Sequence, residues 1–226
     1  MAIKPILFNT EMVRAILEGR KSCTRRIVKP QQLIGMLPDK CKNGAPEEFL
    51  KEKKLMFKPY CDMTGIELIN TAYKAPYQPG DILYVRETWE HFECCCCEGD
   101  EHRNCYREPQ QSVLNKSCGC YMYRATDEIY GDARWHPSIH MPKEAARIWL
   151  KVTDVRVERL QDMWASDVSK EGIRFNKPTA ADEMLKAFAK LWDSTIKKTV
   201  LDRYGWDANP WVWVIEFERC EKPEGV

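Results

Sequence analysis

Gly19-Arg20-Lys21-Ser22-Cys23-Thr24-Arg25-Arg26 decides how this chain is read, because it joins a short amphipathic helix to a strand-like segment. Upstream, Asn9 or Thr10 caps a helix whose apolar face is Met12, Val13, Ile16 and Leu17. Gly19 is its natural left-handed stop. Downstream, Cys23 to Val28 alternates like a β-strand and is ended by Pro30. On that strand Thr24 and Arg26 share one face, while Arg25 takes the other. Lys21 lies in the turn, where alternation does not decide direction. Lys21, Thr24 and Arg26 are therefore candidates to converge on one pocket. The same basic cluster also suits a solvated surface or a loose anion site, since structural ion networks are common.

Composition agrees with a single domain spanning 1–226, long enough for one substantial core with decorations. No apolar run approaches a membrane span, and Lys4, Pro5 and Glu11 interrupt any secretory leader. A cytoplasmic protein with no membrane partner is expected. The net charge of +1 argues against a strongly basic, non-specific nucleic-acid binder. Basicity around residues 20 to 29 still suits one nucleotide or a short RNA. No protein partner is indicated.

Residues 146 to 158 alternate through Ile148, Leu150, Val152, Val155 and Val157, which predicts a long or bent strand. A helix is expected from about Ser166 to Gly172, placing Glu171 in its last turn. A carboxylate there opposes the negative end of the helix dipole and calls for a cationic partner. A second helix is expected from Thr179, with Asp182 completing an approximate capping box. Met184, Leu185, Phe188, Leu191 and Trp192 then recur at helical spacing and read as core.

Two insertions separate the regular segments, at about 31–77 and 90–135. In the first, Glu47 to Leu55 is the one stretch that suits a short helix. The second holds Cys94, Cys95, Cys96, Cys97, Cys105, Cys118 and Cys120, with His91 and His102 nearby. Without a secretion signal, metal binding is favoured over a disulfide framework. Consecutive cysteines on extended chain face opposite ways, so they cannot all turn to one ion. Two of that run, such as Cys94 and Cys97, with Cys105 and either Cys118 or Cys120, make a plausible tetrahedral set for structural zinc. A flexible reduced loop is the alternative. No cofactor for catalysis is expected.

The helix followed by Gly-Arg-Lys-x-x-Thr-x-Arg resembles the signature of ASCH domains, small β-barrels of the PUA-like superfamily. Thr24 matches the branch that contains bacterial N4-acetylcytidine amidohydrolases, where most of the family has an acidic residue. Gly80-Asp81-Ile82-Leu83-Tyr84-Val85 is similar to the family's "GD" turn and strand. Leu160 to Gly172 resembles the segment carrying the family's catalytic Glu, with Glu171 on that position. Trp211-Val212-Trp213-Val214-Ile215-Glu216-Phe217 is similar to its closing strand. Val85-Arg86-Glu87-Thr88-Trp89, Pro137-Ser138-Ile139-His140-Met141-Pro142 and Trp206-Asp207-Ala208-Asn209-Pro210-Trp211 resemble longer phage and prophage proteins, and that similarity covers nearly the whole chain.

The resemblance implies an α+β fold, a PUA-like β-barrel flanked by helices, and a catalytic set of Lys21, Thr24 and Glu171. Thr24 would attack an acyl carbonyl, Lys21 would take its proton, and Glu171 would orient Lys21 and shuttle a proton to the departing amine. Arg26, or amides in the turn after Gly19, would stabilise the oxyanion. Substrate contacts are expected from Arg86 on a phosphate or ribose, Glu87 on a base edge, and Trp89 stacking on a pyrimidine. Trp89 equally suits a core position closing the barrel. Ser138 and His140 lie in a loop bounded by Pro137 and Pro142, with His140 a secondary acid/base candidate or a structural group. The expected activity is hydrolysis of an N-acylated nucleoside such as N4-acetylcytidine. The alternatives are a non-catalytic module that binds RNA or a modified base, and a ribonuclease.

Overall fold

The first helix begins and ends where local chemistry demands. In the computed structural model, the Asn9 side chain accepts from the Met12 backbone amide at 2.9 Å, and Gly19 takes a left-handed conformation with φ of 73° just past the helix end. A side chain at Gly19 meets no neighbour, so the requirement for glycine there is conformational. The structure describes residues 1–29, 55–56, 72–73, 75–93, 119–128 and 134–225.

In chain order the strands and helices are β1 (Ile3–Leu7), α1 (Thr10–Leu17), β2 (Cys23–Ile27), β3 (Leu55–Met56), β4 (Ala72–Tyr73), β5 (Ile82–Arg86), β6 (Trp89–Glu93), β7 (Gly119–Tyr123), β8 (Trp149–Arg159), α2 (Ala165–Lys170), α3 (Ala181–Thr195), α4 (Leu201–Tyr204) and β9 (Trp211–Cys220). The architecture is mixed α+β. Its main sheet has five strands in the order β1-β5-β8-β9-β2, beside the two-stranded pairs β3-β4 and β6-β7.

The expected closed barrel is not what the strands form. Among the described residues β1 pairs only with β5 and β2 only with β9, so the sheet keeps two ends. β1 runs parallel to β5, and β2 runs antiparallel to β9. The legs of the β6-β7 hairpin place Glu93 opposite Gly119. Strand β6 thus runs past residue 90 to Glu93, and β7 lies before 135. Within the first insertion, Leu55 belongs to β3. The rest of the helix expected over Glu47 to Leu55 lies outside the described residues.

The chain divides into two compact units, 1–19 with 82–150 and 219–226, and 20–81 with 151–218. The first is built on β1, β5 and the hairpin, over a core that includes Tyr84, Trp89, Tyr121, Tyr123, Met141 and Trp149. The second packs α2 and α3 on Cys23, Leu160, Val212 and Val214. Residues 211–215 of β9 are all buried, as expected of a strand lying between β8 and β2. The apolar stripe of α3 enters this core through Phe188 and Trp192, as its spacing predicts. Its start differs from expectation. Ala180 is the N-cap and its methyl group has no acceptor, while the Thr179 hydroxyl donates to the Lys177 carbonyl and Asp182 pairs with Lys186 one turn on. No helix among the described residues is long and apolar enough to cross a membrane.

Candidate functional site

In the second unit, β2 pairs with β9 so that Cys23 faces Glu216 and Thr24 faces Ile215. Just before β2, Lys21 forms an antiparallel bridge with Glu171, and the Ser22 amide donates to the Lys170 carbonyl at 2.9 Å. Glu171 is the C-cap of α2, its amide bonded to the Asp167 carbonyl. Gly172 then leaves the helix with φ of 94°, and Arg20 donates to its carbonyl. The helix end is thereby fastened to the turn that carries Lys21.

The Lys21 ammonium is buried, and acceptors for it among the described residues include the following three. Nζ donates to the Cys23 carbonyl at 2.7 Å, the Glu171 carbonyl at 2.9 Å and Glu171 Oε2 at 2.7 Å. The other oxygen of that carboxylate, Oε1, accepts from Arg25 Nη1 at 3.1 Å. Arg25 also reaches Glu158, at 2.7 Å through Nη2, and Asp167, at 3.4 Å. Burial pushes the Lys21 pKa below its ordinary value, and the neighbouring Glu171 opposes that shift. Burial also pushes the Cys23 thiol up to about 12, so Cys23 stays protonated and inert at neutral pH.

Thr24 is buried, with 2 % of its surface exposed. Strand alternation puts it with Arg26 on the side opposite Cys23 and Arg25. Among the described residues its hydroxyl makes no hydrogen bond to Lys21 or Glu171. Arg26 is half-buried, and its electrostatic neighbours include Glu171 and Tyr77. Of the expected catalytic set, Lys21 and Glu171 are in direct contact, while Thr24 follows Lys21 by three residues on β2 and its hydroxyl bonds to neither.

The expected substrate contacts fall in the first unit. Glu87 is buried, and both of its oxygens are held by Arg147, at 2.9 and 3.0 Å. Arg147 in turn lies 4.0 Å above the Tyr123 ring. Burial raises the Glu87 pKa, and the Arg147 guanidinium works against it. Trp89 is a core residue at 7 % exposure, with Tyr121 and His136 rings 5.7 and 5.2 Å away. Ser138 and His140 sit on a 3-10 turn, His140 exposed, and Arg86 donates to the intervening Ile139 carbonyl at 3.2 Å. Arg86 and that turn are thus brought together.

Sequence reasoning missed Arg25, Asp167, Glu158 and Arg147. Asp167 carried a signal, since it precedes Glu171 by one helical turn and shares its face. The distant pairing of Glu87 with Arg147 had none. Cys94, Cys97, Cys105 and Cys118 lie outside the described residues, and Cys120 is in β7. Among the described residues no group of His, Cys, Asp and Glu is arranged to hold a metal.

No family model, curated protein or solved structure matches this chain.

Proposed function

We propose that the second unit carries an ASCH-type amidohydrolase site that removes an acyl group from an N-acylated nucleoside such as N4-acetylcytidine. The observation that supports this reading is the buried contact of Lys21 Nζ with Glu171 Oε2 at 2.7 Å, with a buried threonine three residues after that lysine on β2. A lysine whose pKa is pushed down by burial suits a group that must take and return a proton.

In the proposed reaction Thr24 Oγ1 attacks the acyl carbon and passes its proton to neutral Lys21. Collapse of the tetrahedral intermediate breaks the C–N bond, and the Lys21–Glu171 pair returns a proton to the departing nucleoside amine. Water then attacks the Thr24 ester, releasing the carboxylic acid and restoring the hydroxyl. Arg26 is the side chain assigned to the developing oxyanion. The test is release of cytidine from N4-acetylcytidine, with Thr24→Ala as the control. Release that the variant abolishes supports the reading, and a variant with full activity removes Thr24 from it.

A second reading, a module that binds RNA or a modified base without turnover, draws on a different observation. Lys21 Nζ has at least three acceptors, and the Thr24 hydroxyl joins none of those bonds. A structural ion pair needs nothing more. Nucleoside binding without release by folded protein favours this reading, and cleavage of RNA favours a ribonuclease.

The structural zinc in the Cys94, Cys97, Cys105, Cys118 and Cys120 segment is also a proposal. It is supported by sequence chemistry alone. The test is the zinc content of protein purified under reducing conditions, with about one ion per chain expected.

A further inference from the structure

We propose that Arg25 is a positioning residue that sets the protonation of Lys21, by taking the second oxygen of Glu171 and dividing that carboxylate's charge between two cations. The consequence for catalysis rests on the amidohydrolase reading, whereas the electrostatic relation does not.

The geometry leaves Arg25 little freedom. Its guanidinium is 1 % exposed and spends Nη1 on Glu171 Oε1, while Nε and Nη2 go to Glu158 Oε1 at 3.2 and 2.7 Å. Asp167 Oδ2 also lies 3.4 Å from Nη2. Glu158 turns its other oxygen to Arg156 Nε at 3.4 Å, and Arg156 Nη1 reaches Glu216 at 2.8 Å and Asp154 at 2.9 Å. Glu216 stands opposite Cys23 in the strand register. Charges of alternating sign therefore run from Lys21 through Glu171, Arg25, Glu158 and Arg156 to Glu216. Low-dielectric surroundings make each of the inner pairs felt by the next.

The groups of this network come from several elements, and those acting directly on Lys21 are Glu171, Arg26 and Cys23. From β2 come the Cys23 carbonyl and thiol, with Arg26 and Arg25. From the end of α2 come Glu171 and Asp167, and from β8 and β9 come Glu158 and Glu216. Tyr77 lies in the electrostatic surroundings of Arg26. Glu171 favours the ammonium, whereas Arg26 and burial disfavour it. Removing the Arg25 charge leaves the Glu171 carboxylate undivided on Lys21 and exposes it to Asp167 and Glu158 as well. All of these changes favour the ammonium, so the Lys21 pKa rises. Removing the Glu158 charge frees Arg25 to act more strongly on Glu171 and takes a negative group away, so the Lys21 pKa falls.

The experiment follows the Lys21 Cε resonance by carbon NMR in lysine-labelled protein across pH, assigned by its loss in Lys21→Met. Arg25→Gln is expected to move the Lys21 titration up by about one pH unit, and Glu158→Gln to move it down by a smaller amount. Arg25→Lys, which keeps the charge, is expected to stay near the wild type. The rising limb of the pH profile for N4-acetylcytidine hydrolysis should move in the same directions. A purely structural Arg25 would weaken the fold in both neutral variants without opposite shifts. An unmoved titration in folded Arg25→Gln and Glu158→Gln overturns the proposal. If Arg25→Gln does not fold, Glu158→Gln decides alone: a downward shift supports the proposal and no shift overturns it. Opposite shifts in a wild type without hydrolysis uphold the electrostatic relation and remove the amidohydrolase reading.

Discussion

Lys21 and Glu171 are joined through both backbone and side chain. Their backbones form an antiparallel bridge, and Lys21 Nζ donates to the Glu171 carbonyl as well as to its carboxylate. This double attachment accounts for an acid at the C-terminal end of α2, where the dipole disfavours it. The ammonium satisfies a carbonyl at the helix end and neutralises the acid at the same point.

Glu171→Gln is expected to destabilise the protein by about 3 kcal/mol at pH 7, because a buried ammonium and a buried guanidinium lose their shared anion. The deficit should shrink as pH rises. With Glu171 neutral, burial acts on Lys21 without its main counterweight and its folded pKa falls further below the unfolded value of 10.5. The unfolded state then binds more protons than the folded one between those two pKa values, so stability rises with pH through that window. Urea denaturation of wild type and variant at about pH 7 and about pH 9.5, both below the unfolded value of 10.5, measures this. A deficit that grows with pH contradicts the sign.

What could be read from the sequence was local. Asn9, Gly19 and the spacing of Val13 and Ile16 specify α1 within a few residues, and the run from Trp211 to Phe217 marks a buried strand. The helix dipole called for a cationic partner at Glu171 but could not name Lys21, since 150 positions separate the two. Alternation correctly placed Arg25 opposite Thr24 but did not say which helix it would meet. Barrel closure depends on pairing at the ends of the sheet, and neither β1 nor β2 carries a local signal for that. Trp89 fitted both a stacking and a core role by type, and burial decides for the core.

Cys23 is expected to resist iodoacetamide in the folded protein and to react once the chain is unfolded. Its side chain is 1 % exposed by residue area, and its raised pKa keeps the less reactive thiol. The folded state holds that proton more tightly than the unfolded one. Its stabilising contribution is therefore complete below pH 9.0 and is lost as pH climbs toward about 12. Peptide mapping of labelled protein at pH 8 (about one unit below the unfolded pKa) in the presence and absence of urea tests this. Labelling of native Cys23 at the rate of a free thiol contradicts it.

Arg147→Met should cost about 3 kcal/mol at pH 7, since it strands the Glu87 carboxylate in the core of the first unit. Burial already raises the Glu87 pKa above 4.5, and losing Arg147 raises it more. The folded variant then binds more protons than the unfolded chain as pH rises from the unfolded pKa to the folded one. Its stability falls across that range, so the deficit is smaller at pH 5 (about half a unit above the unfolded value) than at pH 7. Thermal denaturation at both pH values checks the direction. Glu87→Gln combined with Arg147→Met should recover part of the loss, because no buried charge is then left without a partner.

The two tryptophans separate folding from recognition. Trp89→Ala removes a core indole packed on Tyr121 and should cost about 3 kcal/mol of stability. Trp164 is 78 % exposed and is the N-cap residue of α2, the helix whose far end presents Glu171. Its backbone amide donates to Asp167, which also meets Arg25. Trp164→Ala should therefore leave stability within about 0.5 kcal/mol of wild type. An exposed indole at the N-terminal end of α2, six helical residues from Glu171, is available to stack on a nucleobase bound along that helix, and stacking of that kind contributes about 1–3 kcal/mol. The expected result is a roughly tenfold rise in KM for N4-acetylcytidine with kcat little changed. A KM equal to that of wild type in folded Trp164→Ala would exclude the indole from substrate binding.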